Sequence, residues 1–261
     1  MPITNKMANA QKEQNCFAVT AERKYYHVNK TFVKRSLRPS EWQISPFKGT
    51  IHVPRLGIER IFNEAAALTY VKENSTIPVP TLYACFEDDH SAYIVTSYVD
   101  GVSMSSLTDD QKALVTQELE VHIRSLHSLR GPRLGGASGH VILPYRVLQK
   151  TFKDDWDLQT SSSAEYVFCH NDLSQQNVIV NPETLKIAAI IDWEYAGFFP
   201  EEFDVPFYKR LGPSVAINGE EDDTDKFMRF IKDHQSQLCS KVGWASGVLG
   251  GIGGPVSRRK G

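Results

Sequence analysis

Asp172, Asn177 and Asp192 are the residues whose types and spacing could do chemistry. His170-Asn171-Asp172-Leu173 sets an acid two residues after a histidine, and Asn177 follows that acid by five. A second acid, Asp192, closes the apolar run 187–191. A carboxylate with an amide oxygen makes a hard-oxygen site suited to Mg²⁺ that keeps water and phosphate ligands. Another carboxylate beside it can accept or orient the proton of a hydroxyl that attacks the γ-phosphate of ATP in line. The set predicts ATP and Mg²⁺ as cofactors, Asp172 as base, and Asn177 and Asp192 as metal ligands.

These residues meet only if the local chain folds one way. Residues 178–180 and 187–191 are apolar and β-prone, with a turn over 181–186. In an antiparallel pair the start of the first strand lies beside the end of the second, which puts Asn177 and Asp192 at one end. A lone H-x-D is common, and an Asp at a strand end usually just begins a turn. The combination carries the reading.

The rest of the chain supplies the frame. Residues 24–28 and 31–34 flank Asn29-Lys30 and read as a hairpin; residues 81–86 and 92–99 read as a second. Residues 36–58 are irregular, broken by Pro39, Pro46 and Pro54. Residues 59–73 form a helix with Ile61, Ala65 and Leu68 on one face. Glu64 projects from that same face. An acid there is costly unless paired, so it asks for a cation. Asp100-Gly101 breaks the β pattern. Thr108 and Gln111 form a capping box for a long helix with Val115, Leu119, Ile123 and Leu126 on its apolar stripe. Residues 131–163 are loop-rich, strand character returns at 165–169, and a last helix covers 224–234. Residues 1–21 read as disordered and 236–261 as a flexible Gly/Ser-rich tail. The predicted class is α+β. A β-rich lobe over 22–99 and a mainly helical lobe over 100–235 enclose a cleft, with one small catalytic hairpin in the second lobe.

Bulk properties narrow the partners. A chain of 261 residues buries a sizeable core without disulfides. Cys16, Cys85, Cys169 and Cys239 are scattered, without C-x-x-C spacing, which argues against zinc and for reduced thiols. A net charge of -2 gives no field for nucleic acid or membrane. The polar start lacks a signal-peptide core, and no run approaches the roughly 20 apolar residues of a membrane span. A cytoplasmic protein is expected.

The segment from His170 to Asn177 resembles the catalytic loop of the aminoglycoside phosphotransferase and choline kinase-like branch of the protein-kinase-like fold. Asp192-Trp193-Glu194 resembles that branch's metal-binding segment, and Phe203-Asp204 a following acid. More narrowly, the stretches around residues 25–39, 63–64, 78–86 and on to Tyr208 resemble fungal members of the family. The resemblance covers most of residues 22–234. It implies a bilobal kinase-like fold and phosphate transfer to a small-molecule hydroxyl. It makes Lys34 the contact to the α- and β-phosphates, with Glu64 as its partner. Arg35 competes for that role, but alternation sets Lys34 opposite Thr31 and Val33. His170 would brace the loop and Asp204 would hold its amides. Residues 97–101 would be the hinge, with Ser97, Tyr98 and Val99 against adenine. Glu194 would join the metal environment or cap a turn.

Three features depart from the family pattern. No G-x-G-x-x-G precedes the first hairpin, which leaves Val28-Asn29-Lys30 as the phosphate-covering turn. Only eleven residues separate Asp192 from Asp204, too few for a protein-substrate activation segment. Only 57 residues follow Asp204, so the acceptor wall would be small, shared with residues 131–163, or absent. A nucleotide-binding scaffold without catalysis is the competing reading, and a protein-serine/threonine kinase a distant third.

Overall fold

The computed structural model describes residues 3–236. In chain order the elements are α1 (Asn5–Ala10), β1 (Cys16–Val19), β2 (Arg23–Val28), β3 (Thr31–Ser36), α2 (Gly57–Asn74), β4 (Leu82–Asp88), β5 (Ser91–Ser97) and β6 (Val102–Ser103). They continue with α3 (Asp109–Ser128), β7 (Arg130–Gly131), α4 (Tyr145–Leu148), β8 (Tyr166–Cys169), β9 (Val178–Val180), β10 (Ile187–Ile190), β11 (Gly197–Phe199) and α5 (Thr224–Asp233).

The first five strands make one antiparallel sheet in the order β1-β2-β3-β5-β4. β2 and β3 pair Val28 with Thr31, so Asn29-Lys30 is a two-residue turn. Asn29 takes φ 54°, the left-handed backbone such turns need and asparagine tolerates. α2 packs on this sheet through Ile61, Ala65, Leu68 and Val71, all at most 6% exposed. Burying each large side chain of this stripe contributes about 1.5–3 kcal/mol, which holds the helix against the sheet.

The second half carries α3, the small helices α4 and α5, and two three-stranded sheets, β10-β9-β6 and β11-β8-β7. The fold is α+β, as the alternation of patterns predicts. α3 starts at its capping box: Gln111 N–H donates to Thr108 Oγ1 at 3.4 Å and Thr108 N–H to Gln111 Oε1 at 3.0 Å. Gly101 joins the halves. A Cβ there would stand 2.7 Å from Val180 O, so only glycine lets β6 reach β9.

Two expectations need correction. Residues 1–21 are not disordered where described: α1 and β1 occupy much of 5–19, and β1 pairs with the sheet edge at β2. Asn9 fixes this start by donating to Val19 O at 2.7 Å and accepting from Val19 N–H at 3.2 Å. Polar side chains that tie backbone carry no periodic signal. The second half also holds two three-stranded sheets beyond its one hairpin, because β6, β7 and β11 are too short for the pattern to show. The Gly/Ser-rich tail expected over 236–261 lies, from residue 237, outside the described residues.

Candidate active site

Lys34 sits in mid-sheet, in register between Tyr25 on β2 and Ile94 on β5, and is 3% exposed. Its ammonium lies 2.8 Å from Glu64 Oε2 and 3.5 Å from Glu194 Oε2, and it donates to Asp192 Oδ1. Strand alternation sends Arg35 to the other face, where it binds Glu41, Glu13 and the Tyr26 hydroxyl. Lys34, not Arg35, is therefore the cation that Glu64 required. Burial disfavours the Lys34 charge, but Asp192, Glu194 and Glu64 outweigh it and hold the amine well above its usual pKa.

Beside Lys34 opens a cleft of about 230 Å³, walled by Phe32, Leu68, Ile94, Ile191, Tyr98 and Val99. Ser97 also lines it. Two of the three expected hinge amides are engaged: Ser97 N–H donates to Thr81 O at 2.9 Å and Tyr98 N–H to Lys30 O at 2.8 Å. The second bond ties the β2–β3 turn to the hinge, and the Tyr98 ring stacks on His27 at 3.8 Å between centroids. Among the described residues nothing accepts from the Val99 amide.

At the inner end of the cleft Ile190 pairs with Val178, and Ile191 N–H donates to Asn177 O at 2.9 Å. The hairpin phase is the one that brings Asn177 and Asp192 to one end. Asn177 Nδ2 donates to Asp172 O at 2.7 Å, which turns its Oδ1 away from the loop. Asp192 and Asn171 adopt left-handed backbone, at φ 67° and 66°, which short polar side chains tolerate.

The loop is braced from behind. Asp204 accepts from Asn171 N–H at 2.9 Å and from His170 N–H at 3.4 Å, and it pairs with His127 Nε2 at 2.8 Å. Its burial is outweighed by His127, so its carboxyl is held below the usual range. His170 Nδ1 accepts from Asp172 N–H at 3.3 Å, so the proton sits on Nε2 and is donated to Ile191 O at 3.1 Å. Burial lowers the His170 pKa and keeps that neutral tautomer. Both residues act on the position of Asp172.

Five carboxylates (Glu22, Glu64, Asp172, Asp192 and Glu194) face three cations, Arg23, Lys34 and Arg60. Glu194 is held low: burial opposes its charge, but Arg60, Lys34 and Arg23 prevail. Glu64 and Asp172 absorb the surplus. Burial, opposed by Lys34 and reinforced by Asp192 and Glu194, lifts Glu64 to about 7. Burial and Asp192 lift Asp172 to about 7. Ligand atoms of Glu64, Asp192 and Glu194 all lie within 4.8 Å of one another. A surplus of two negative charges on hard oxygens is what a divalent, oxygen-seeking cation offsets, so the residues present fit Mg²⁺.

A model of the phosphotransferase enzyme family (APH) matches residues 23–206, most of the chain and all of this site but Glu22. The chain belongs to that family. An aminoglycoside 3'-phosphotransferase of Streptomyces ribosidificus is 28% identical over 137 residues, 44% of this chain and 52% of that protein. An uncharacterized kinase-like protein of Caenorhabditis elegans is 47% identical over 49 residues, 19% of this chain and 13% of that protein. The matches thus span about half of the first of these relatives and less of the second. Among solved structures, an aminoglycoside phosphotransferase from Streptomyces rimosus superposes with a TM-score of 0.49 at 16% identity, covering 71% of this chain and 73% of that one. An aminoglycoside-3'-phosphotransferase of type VIII superposes with a TM-score of 0.46 at 21% identity, covering 72% of each chain.

In this member of the phosphotransferase family, a second cavity of about 300 Å³ is lined by Asp172 and shares Tyr25 and Asp192 with the first. Sequence reasoning missed most of its wall: Glu22, Arg23, Arg60, Tyr145, Tyr195 and Ser214. Arg60 had a readable signal, since it stands one helical turn before Glu64 on α2. It donates to the Tyr195 hydroxyl at 2.8 Å and pairs with Glu22. Arg23 had none, being an ordinary strand-end arginine until it meets Glu194 at 2.9 Å. The wall is shared with the loop-rich stretch, through Tyr145 at the start of α4, and with residues 213–215. Glu194 is neither a plain turn cap nor a lone acid; it is the hub of three buried cations.

Proposed function

We propose that the chain is an ATP-dependent phosphotransferase that moves the γ-phosphate to a hydroxyl of a small molecule. The convergence of Asp172, Asn177 and Asp192 beside the Lys34–Glu64 pair, between two cavities, carries this reading. Adenine enters the apolar cleft and meets the Val99 amide, while Ser97 and Tyr98 shape the hinge. Lys34 neutralises the α- and β-phosphates. Asn177 Oδ1 and Asp192 would hold Mg²⁺, with Glu194 near; when bound, the cation would offset charge on the phosphates. Asp172 takes or orients the acceptor's proton from the second cavity, and His170 and Asp204 keep its backbone in place. The Streptomyces ribosidificus relative is named for an aminoglycoside, so amino sugars are the first acceptors to test.

The test is transfer from Mg·ATP labelled at the γ-phosphate across amino sugars, amino alcohols, sugars and simple alcohols. Labelled product is expected, and none should form without Mg²⁺. Magnesium-independent nucleotide binding with no transfer to any of them would replace this reading with the scaffold.

A further inference from the structure

Ser214 carries a hydroxyl held inside the acceptor cavity, beside the Asp172 carboxyl. It is 8% exposed, and among the described residues its Oγ makes no regular hydrogen bond. It lines the same cavity as Asp172, Asn177 and Asp192, and its hydroxyl comes near enough to the Asp172 carboxyl to favour the ionised form. A buried hydroxyl whose neighbour is an acid, with no well-formed hydrogen bond, is not there for stability alone, so its position asks for a reason.

The surrounding loop fixes that position. Arg210 donates to Pro213 O at 2.9 Å and to Val215 O at 2.6 Å, the two carbonyls that flank Ser214. Glu220 in turn grips the Arg210 guanidinium with both oxygens, at 2.6 and 2.8 Å, and accepts from Ile217 N–H at 3.1 Å. The backbone on either side of Ser214 is clamped from outside, and its side chain points in toward the base. In that place a transferase expects the hydroxyl of its acceptor.

We propose that Ser214 is an acceptor itself, and that the protein phosphorylates this residue in cis when no small molecule occupies the cavity. The inference rests on the phosphotransferase reading above. Ser214 Oγ attacks the γ-phosphorus of ATP. The new Oγ–P bond forms as the bond from that phosphorus to the β–γ bridging oxygen breaks, and ADP leaves with the electron pair. The Ser214 proton passes to Asp172.

The full chain is incubated with Mg²⁺ and γ-labelled ATP, without acceptor, and both protein-bound label and free phosphate are followed. One phosphoryl group per chain is expected, mapped by mass spectrometry to Ser214, at a rate per molecule independent of protein concentration. Ser214→Ala should abolish incorporation and Ser214→Thr should restore it on threonine. Asp172→Asn should slow it by about 10²–10⁴-fold. Free phosphate without label on Ser214 overturns this inference and leaves the ATP-dependent reading standing. Neither free phosphate nor label, in a protein that transfers to an added acceptor, overturns this inference alone; failure to transfer to any added acceptor as well overturns both. Equal labelling of the Asp172→Asn protein, or a rate that rises with protein concentration, also overturns it.

Discussion

On the sheet side of the site, Lys34, Ile94 and Glu64 stand on β3, β5 and α2; on the loop side, Asp172 and Ser214 stand on irregular chain and Tyr145 at the first position of the one-turn α4. The sheet side is held by apolar burial and strand register, which a periodic sequence announces. The loop side is held by arginines that reach across the chain. Arg146 donates to Asn171 O at 3.1 Å, to Phe203 O at 2.7 Å and to Asp223 at 2.7 and 2.8 Å. Arg210 does the same for the Ser214 loop. Under the proposed function, repetitive structure thus sets the nucleotide's place, and single cross-links set the acceptor's. One consequence is that the loop side can be rebuilt for a new acceptor without disturbing the sheet.

The largest expected effects separate the two sides kinetically. Asp172→Asn should lower turnover by about 10²–10⁴-fold while nucleotide affinity is retained, because it removes the base and leaves the sheet side whole. Lys34→Met should lower kcat/KM for ATP by about 10²–10³-fold through the lost charge on the phosphates. Steady-state kinetics with equilibrium nucleotide titration checks both. If Asp172→Asn lost nucleotide binding as completely as Lys34→Met, the division of labour would be wrong.

The same division explains what could be read from the sequence. Both hairpins of the sheet, α2, α3, the β9–β10 hairpin and the meeting of Asn177 with Asp192 follow from alternation, helical spacing and a capping box. Glu64 was legible because it broke a pattern: an acid on an apolar stripe needs a cation. Arg23, Arg146 and Arg210 broke none. A long flexible cation next to no obvious partner looks like any solvated arginine, and its partners lie 171, 77 and 10 residues away along the chain. β6, β7 and β11, two or three residues long, have no room for a period. The Asn9–Val19 tie that orders the start of the chain is likewise a local polar contact without a repeat.

Arg146 tests the claim that single links hold the loop side. It is 4% exposed and bridges the catalytic loop, the segment before Asp204 and the start of α5. Arg146→Met keeps the volume but leaves Asp223 and two carbonyls without their donor, and should cost about 3–5 kcal/mol of stability. Chemical denaturation measures that cost. The surviving folded fraction should show a raised KM for the acceptor and an unchanged KM for ATP. A variant that folds with both constants unchanged would show that the loops hold themselves.

The smallest effect concerns the charge surplus where the two sides meet. Glu64 and Asp172 titrate at about 7 in the folded chain, against ordinary values of 4.5 and 3.8. Between those limits the folded protein binds protons that the unfolded chain has released. The stability contributed by these two groups is fully present below their ordinary values and is lost as pH rises through about 7. His170 works the other way, since its lowered pKa favours folding as pH rises. The informative quantity is therefore a difference between variants. In metal-free buffer, Tm should fall more steeply from about pH 5 to about pH 8 in the wild type than in Glu64→Gln or Asp172→Asn, each of which deletes one of the titrating acids. Adding Mg²⁺ should raise Tm more at the upper end of that range, where the surplus is ionised, than at the lower end. Identical slopes in all three proteins would mean that the five carboxylates and three cations do not share one field, and that the two sides of the cleft are electrostatically separate as well as structurally distinct.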